Sequence, residues 1–400
     1  DRECMSCHNS IPVMEKGSNR RFTTIGLGID CERCHGPGEL HVQYRQKAGL
    51  ERTGAFDSTI VNPARLSSER LIDLCQRCHL QGNNVLKPGK DFTDFRPGMK
   101  LSDVFEVYLP LYEGDHSSFN MADHSQRLQM SMCFKESTQS LTCISCHNPH
   151  VSVKQTKKER FNAQCQSCHK EKTCSLPKEE RLKEGNSCFT CHMPLSGSKD
   201  IPHVEIHDHR IQIPGKKSVE NKRVLKGLYS VNNKQPDDEM LIRAYLSYYD
   251  KFDPQPLYLN KAEELLKSAK DKESAIHLYF IKKNYSAIVE TAKEMDLAEI
   301  SQPFTAYRIA EAYEQKGDLA QSEIFFRKAI ELEPDRFEFR DELGNLYLRQ
   351  GNSAKAKASF SESIKWYPFN PKSYNNLAYC LILEADYSAA KRNLDKALEL

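Results

Sequence analysis

The sequence has no long apolar run. No stretch approaches the 18 or so apolar residues that a membrane-spanning helix needs, so we predict no transmembrane segment. The formal net charge is only +2 over 400 residues, so nothing in it favours nucleic acid as a partner. Hydrophobic residues make up 39% of the chain, which is low for a self-packed globular protein. A large bound cofactor would supply the missing apolar mass.

Regular periodicity is also scarce in the first half of the chain. Gly, Pro, Asn and Ser interrupt residues 1–213 throughout, which predicts short helices and coil wrapped around cofactors. Residues 214–236 are polar and are predicted to be a linker. Both termini look cut relative to the encoded protein, because the chain opens on Asp1 rather than Met and closes within a helical pattern.

The second half repeats. Units begin near Pro303, Phe337 and Pro371, 34 residues apart, and equivalent positions carry similar apolar or small residues. The length and pattern resemble the tetratricopeptide repeat, in which stacked helix pairs bury apolar faces that no pair could bury alone. We therefore predict three such units over residues 303–400, the last one truncated, and less regular helical repeats over residues 237–302.

Cysteine is concentrated in the first half. Fourteen of the fifteen cysteines precede residue 192, and twelve of them form six Cys-x-x-Cys-His motifs. Their cysteine pairs are Cys4 and Cys7, Cys31 and Cys34, Cys75 and Cys78, Cys143 and Cys146, Cys165 and Cys168, and Cys188 and Cys191. The histidines that follow are His8, His35, His79, His147, His169 and His192.

This spacing is typical of c-type haem attachment. Two thiols on one side of a helical turn add to the haem vinyl groups, and the next residue, His, coordinates the iron. Zinc is the main alternative, but a zinc site does not need His directly after every second Cys. A thioredoxin-like disulfide would be single and set in an α/β pattern, which is absent here. Six covalently bound haems c are therefore predicted.

The far axial position of each iron needs a second ligand. Seven histidines of this region lie outside the motifs: His41, His116, His124, His150, His203, His207 and His209. His150 and His41 follow motif histidines too closely to reach round the porphyrin, so each is expected to serve a neighbouring haem. Methionine is the competing ligand, and Met121, Met130, Met132 and Met193 are close enough in sequence to be considered, although packing is the better interpretation.

Three cysteines remain. Cys133 and Cys174 are predicted to form a disulfide, because haem attachment implies an oxidising compartment. Two free buried thiols are the alternative. Cys380 and His277 lie in the helical second half and are interpreted as structural.

Several stretches carry a family resemblance. They are residues 28–41, residues 141–150 and residues 191–194, with the Ile201-Pro202-His203 and Asp208-His209-Arg210-Ile211 segments. They resemble multihaem cytochromes related to cytochrome c554, of the kind fused to tetratricopeptide repeats. The resemblance implies a fold that is mainly α with much coil, with a haem-wrapping N-terminal domain and a C-terminal α-solenoid. It also implies distal ligation by His41, His124, His150, His203 and His209, with His116 or His207 as less fitting candidates.

Three functions remain open at this point. The leading one is electron transfer between redox partner proteins, with the repeats docking a protein partner. The second is a haem enzyme acting on a small nitrogen or sulfur compound at one five-coordinate iron, for which His8 marks the first candidate. The third is a subunit that assembles by haem stacking into a filament. Haem c is attached outside the cytoplasm, so we expect a periplasmic or extracellular location in a bacterium.

Overall fold

A computed structural model describes residues 2–15, 18, 20–48, 57–113, 124–138, 140–169, 174–183, 185–197, 205–214 and 224–400. The chain divides into two units. The first comprises Asp1–Ile11 and Ile25–Met240, and the second comprises Pro12–Thr24 and Leu241–Leu400. None of the described helices has the length and apolar character that crossing a membrane requires.

The described helices and strands are as follows, in chain order. The helices of the first 213 residues are α1 Arg2–His8, α2 Glu32–His35, α3 Glu39–Ala48, α4 Ser68–His79, α5 His124–Gln129, α6 Met132–Glu136, α7 Cys143–Cys146, α8 Lys158–Cys168, α9 Lys178–Lys183 and α10 Cys188–His192. The strands are β1 Val13–Met14, β2 Phe22–Thr24, β3 Asn83–Leu86, β4 Phe105–Glu113, β5 Leu195–Gly197, β6 Glu205–His207 and β7 Val224–Ser230. The helices after residue 236 are α11 Asp238–Lys251, α12 Pro256–Leu266, α13 Lys272–Ile281, α14 Tyr285–Lys293, α15 Pro303–Gln315, α16 Leu319–Leu332, α17 Phe337–Arg349, α18 Ser353–Trp366, α19 Pro371–Leu383 and α20 Tyr387–Glu399.

The first unit has a small hydrophobic core of its own, beside a three-stranded antiparallel sheet in the order β3-β4-β7. Leu71 and Leu74 of α4 pack against Leu101, Val104 and Val107, and all five are buried. The described part of this unit is therefore more than short helices and coil. Helix α4 carries the third Cys-x-x-Cys-His motif at its C-terminal end, so the core fixes the position of that motif.

The predicted linker over residues 214–236 is wrong in part, because it contains strand β7. Two of the polar residues that indicated a linker, Asn232 and Asn233, bind to the sheet. The Asn232 side chain accepts from the Val107 amide and donates to the Phe105 carbonyl, both at 2.9 Å, which continues the pairing beyond the strand. The Asn233 side chain donates to the buried Glu106 carboxylate at 2.7 Å. A side-chain amide that takes the place of a backbone hydrogen-bond partner adds no apolar residue to the sequence. The pattern of hydrophobic residues therefore does not predict this part of the sheet.

The second unit contains the three predicted helix pairs. Their first helices begin at Pro303, Phe337 and Pro371, and the third pair has both of its helices, α19 and α20. In each pair a residue with positive φ ends the first helix, namely Gly317, Gly351 or Ala385. The next residue, Asp or Asn, caps the second helix by accepting a backbone amide three residues on. The same turn recurs once in every unit, which accounts for the glycine or alanine and the Asp or Asn that repeat with the 34-residue period.

Residues 237–302 contain two further helix pairs, as predicted from the less regular pattern. The turn between α13 and α14 repeats the same device, because Lys283 has a φ of +55° and Asn284 caps α14 by accepting from the Ala287 amide at 3.2 Å. The irregularity lies in the residue types, since a lysine occupies the position that glycine holds in two of the later units.

Close helix packing gives one testable consequence for the repeats. A Cβ added at Gly344 in α17 would lie 2.6–2.9 Å from ring carbons of Phe360 in α18, and Phe360 is fully buried. We expect Gly344→Val to lower the free energy of unfolding by about 1–3 kcal/mol through overpacking. Ala358→Val, on the exposed face of α18, is the control and should cost only about 0.5 kcal/mol. Equal losses in thermal or denaturant unfolding followed by far-UV circular dichroism would contradict the packing argument.

Part of the segment between the first two motifs, Pro12–Thr24, belongs to the second unit, which the sequence did not indicate. Strands β1 and β2 pair in an antiparallel hairpin. The Ser18 hydroxyl and the Arg20 amide donate to the same oxygen of Asp335 at 2.5 and 2.6 Å. The Arg21 guanidinium lies 4.9 Å from the centre of the Trp366 ring and donates to its carbonyl. The predicted boundary of 1–213 for one domain is therefore wrong for these residues.

Candidate functional site

Each Cys-x-x-Cys-His motif lies at the end of a helix. Its two cysteines are three residues apart, so about one helical turn places both thiols on one side. The histidine is either the last helical residue or the one that follows it. The motif helices are α1, α2, α4, α7, α8 and α10.

The twelve motif cysteines are the predicted attachment points for haem. A thioether forms only with a haem vinyl group, so the predicted bonds stay a prediction. Nine of the twelve thiols are half-buried, Cys191 of the sixth motif among them, while Cys4, Cys31 and Cys168 are exposed. Cys191 lies in α10 directly before His192, so its sulfur and the neighbouring imidazole have the adjacency that haem attachment requires.

Three of the motif histidines face a second imidazole at a nearly constant distance. The ring centres lie 6.0, 6.0 and 6.1 Å apart, and the planes are inclined by 11°, 33° and 28° respectively. The pairs are His35 with His150, His79 with His124, and His147 with His209.

This distance fits a metal ion between two imidazoles. A metal–imidazole bond is about 2 Å long, so two rings on opposite sides of one ion have centres roughly 6 Å apart. Direct stacking would bring the rings closer. Among the described residues, no three His, Cys, Asp or Glu side chains converge on one point as a zinc site requires. Facing pairs of imidazoles are instead the donor set of a six-coordinate haem iron, so these residues fit the cofactor that the motifs predict.

Hydrogen bonds at the inner ring nitrogen orient several of these histidines. His35 donates from Nδ1 to the Val61 carbonyl, and His209 donates from Nδ1 to the His207 carbonyl, both at 2.9 Å. With Nδ1 carrying the proton, Nε2 keeps its lone pair for a metal. His192 and His207 use the same arrangement, with the carbonyls of Gln212 and Met193 as acceptors.

Burial keeps four of the facing imidazoles neutral, which is the ligating form: those of His79, His124, His147 and His209. Burial, and then the charge of His209, lowers the pKa of His124 to about 3. Burial likewise lowers the pKa of His209 to about 4. The pKa values of His79 and His147 are also lowered, chiefly by burial. A protonated imidazole has no lone pair for a metal, so this burial favours ligation.

Two of the facing pairs touch each other. The rings of His124 and His209 are stacked with centres 4.4 Å apart. A buried ion pair is formed near this contact by Arg127, which lies one turn after His124. The Arg127 guanidinium donates from Nε to one carboxylate oxygen of Asp208 at 2.8 Å and from a terminal nitrogen to the other oxygen. Asp208 directly precedes His209. The ion pair therefore joins the two segments that carry the touching imidazoles, although no sequence pattern singled it out.

Cysteines of different motifs also lie side by side. Hydrogen-bonding pairs form between Cys7 and Cys78, Cys75 and Cys143, and Cys165 and Cys188. Cys165 further interacts electrostatically with Cys146, and Cys75 with Cys34. Each of the six motifs is thus linked to at least one other motif through its cysteines. Their attachment points form one continuous series.

The remaining predicted ligands are placed less completely. His41 donates from Nδ1 to Asp57 at 2.8 Å, and hydrogen bonds, first from Thr59 and then from His41, lower the pKa of Asp57 to about 2. No facing imidazole is found in the described part of the chain for His41, His8, His169 or His192, and His207 packs on the Phe189 ring instead. His116 and His203 lie outside the described residues.

Met121 lies outside the described residues, and the odd cysteines and the other methionines are placed as follows. Cys133 and Cys174 are both free in the structure, which does not support the predicted disulfide. Cys133 lies beside Cys165, with which it interacts electrostatically, and Cys174 is exposed. Met132 is exposed. In the three facing pairs the second ring is histidine, not a methionine thioether.

Family comparisons match two parts of the chain. A family model described as the doubled CXXCH motif matches residues 136–173, which hold the fourth and fifth motifs. Tetratricopeptide repeat models match residues 305–336 and 371–400 and residues 325–358. They cover most of the three helix pairs formed by α15 to α20.

Curated relatives match less than half of the chain. The chain is 25% identical over 202 residues to the dissimilatory sulfite reductase MccA of Wolinella succinogenes, covering 43% of this chain and 23% of the relative. It is 28% identical over 182 residues to the multiheme cytochrome MtrA of Shewanella baltica, covering 42% of this chain and 52% of the relative. The chain thus spans about a quarter and about half of the length of these two relatives.

The solved structures similar to this chain include those of MamA, YrrB and PilF. MamA is 18% identical to this chain with a TM-score of 0.27, and the match covers 41% of this chain and 88% of the MamA chain. YrrB, a TPR protein with an unusual peptide-binding site, is 20% identical with a TM-score of 0.33 and covers 41% and 86%. PilF of Pseudomonas aeruginosa is 17% identical with a TM-score of 0.35 and covers 40% and 75%.

Proposed function

We propose that this multihaem c-type cytochrome, which is fused to tetratricopeptide repeats, binds six haems and conducts electrons from one to the next. The observation that carries the proposal is the recurrence of facing imidazoles 6.0–6.1 Å apart at three motifs. An iron with two protein ligands has no position for substrate, and what haem supplies there is a reversible one-electron exchange.

The protein's own residues would do three things in this function. The cysteines fix each porphyrin covalently, so that the cofactors keep their order. His150, His124 and His209 would act as the distal ligands of the second, third and fourth motifs. The attachment points of neighbouring motifs lie side by side, which supports transfer of electrons between successive haems.

The repeats and the location extend the proposal. Tetratricopeptide repeats stack helix pairs into a surface that binds proteins, so the second unit would dock a redox partner. Haem c attachment favours a periplasmic or extracellular site of action. Assembly into a filament by haem stacking stays a prediction.

A second candidate function is reduction of a small sulfur compound. The match to part of a sulfite reductase favours it, and it requires one iron with an open axial position. Sulfite or cyanide added to the fully assembled protein distinguishes the two functions. An electron carrier with six-coordinate irons should show no change in its visible spectrum, whereas an enzyme site should bind the added ligand.

The test of the proposed function is to count the covalently bound haems. We expect the intact mass of the purified protein to exceed that of the polypeptide by six haems. Cys165→Ala combined with Cys168→Ala should remove one haem, because this pair would form both thioether bonds of the fifth motif. Cys380→Ala, in the repeats, is the matched control and should keep the parent count. A parent protein without Soret absorbance or added mass would overturn the proposal.

A further inference from the structure

Two buried arginines occupy the third position of neighbouring motifs. Arg33 precedes Cys34 and Arg77 precedes Cys78, and their exposed fractions are only 6% and 4%. In the described part of the chain neither guanidinium forms an ion pair with a carboxylate. Burial, and then the charge of Arg77, lowers the pKa of Arg33, so the two positive charges act on each other.

Both guanidiniums bind the backbone around the first motif. Arg33 donates to the carbonyls of Met5, Asn9 and Ser10 at 3.2, 2.7 and 3.0 Å. Arg77 donates to the carbonyl of Ser6 at 2.8 Å. These four carbonyls lie on both sides of His8 in the chain. Both guanidiniums thus bind neutral backbone oxygens, and the buried Arg77 Nε has no hydrogen-bond partner among the described residues.

The charges also reach the sulfur atoms. The Cys7 thiol of the first motif donates to the Arg77 carbonyl at 3.2 Å and lies beside Cys78 of the third motif. Arg33 interacts electrostatically with the same two cysteines. These cysteines are the attachment points of the first and third motifs. Arg127 differs from Arg33 and Arg77, because it is a buried arginine that forms an ion pair with Asp208.

We propose that Arg33 and Arg77 are positioning residues that raise the reduction potential at the first motif by holding buried positive charge beside it. The proposal rests on the proposed electron-transfer function. One electron from a redox partner converts ferric to ferrous iron and lowers the local charge by one unit. Nearby buried cations favour that state, because charges interact more strongly in a protein interior than in water.

The test uses the haem-loaded protein and separates the effect of the arginine charge on the reduction potential from the effect of the arginine hydrogen bonds. Arg77→Gln and Arg33→Gln remove the charge, whereas Arg77→Lys keeps it and loses the fork of donors. In a spectroelectrochemical titration we expect one component to move to lower potential in both Gln variants and to stay near the parent value in the Lys variant. Arg96→Gln, an exposed arginine, is the matched control and should leave the curve unchanged.

A further variant keeps both arginines. Asn9→Asp is nearly isosteric and adds a negative charge to the residue whose carbonyl binds Arg33, so it should also lower one potential even where the Gln variants fail to assemble. Gln and Asp variants that carry the full haem complement but titrate like the parent would overturn the proposal. A Lys variant that shifts as far as the Gln variant would also overturn it. Failure of the electron-transfer function itself would be recognised differently, by the absence of bound haem in the parent.

Discussion

A His209→Ala variant should lose the low-spin signature of one haem and keep the parent number of covalently bound haems. His209 faces His147 across 6.1 Å, and His147 belongs to the fourth motif, whose cysteines the substitution does not touch. Removing the distal imidazole leaves one axial position for water or for an added ligand. Electron paramagnetic resonance, combined with the intact mass, measures both parts of this expectation.

Two further variants sharpen the His209 experiment. Adding free imidazole to His209→Ala should restore the low-spin signal, since the vacated position is the size of the lost ring. His209→Met should raise the potential of that haem, because thioether ligation favours ferrous iron. The matched control is His277→Ala, which removes a histidine that bonds to Asp250 in the repeats. A His209→Ala spectrum identical to that of the parent would exclude His209 as a ligand.

The sequence was informative wherever chemistry is local. A motif spans five residues and a repeat 34, so both can be recognised from the order of residue types alone. The same locality indicated that His150 would not serve the iron of His147 three residues earlier, and in the structure it faces His35. Which distant motif a spare histidine would face was beyond local spacing. That pairing depends on how the chain turns between motifs.

The features that sequence reasoning missed are long-range polar contacts. Arg127 and Asp208 are 81 residues apart in the sequence. Both are charged residue types that usually lie at the protein surface. Asn232 was interpreted as part of a polar linker, although its side-chain amide forms hydrogen bonds with the backbone of strand β4. Ser18 and Asp335 are 317 residues apart. For Arg33 and Arg77 a signal was present, an arginine before the second cysteine in adjacent motifs, but only burial distinguishes them from solvated surface charges.

Breaking the buried ion pair between Arg127 and Asp208 should produce the largest loss of stability. Both side chains are buried, and Asp208 also accepts the Arg210 amide at 2.9 Å. Asp208→Ala leaves the Arg127 charge without its carboxylate, at a cost of about 3–5 kcal/mol. We expect denaturant unfolding, followed through the haem absorbance, to shift to lower denaturant by a corresponding amount.

A matched pair of variants separates this cost from general damage. Glu113→Ala breaks the exposed pair with Lys226, and such surface pairs are worth about 0.2–1 kcal/mol. Arg127→Met combined with Asp208→Leu removes both charges, so the double variant should be more stable than Asp208→Ala alone. That recovery follows because the penalty comes from a buried unpaired charge and not from the loss of attraction.

The same variants show whether the ion pair also sets the geometry of the ligands. Arg127 and His124 share helix α5, and Asp208 is the neighbour of His209, so the pair fixes two imidazoles whose centres are 4.4 Å apart. In the double variant apolar packing replaces the charges but not the two directed hydrogen bonds. We therefore expect stability to recover more fully than the electron paramagnetic resonance line shapes of the third and fourth haems, which report the orientation of the ligand planes. Line shapes that recover together with stability would limit the ion pair to a structural role.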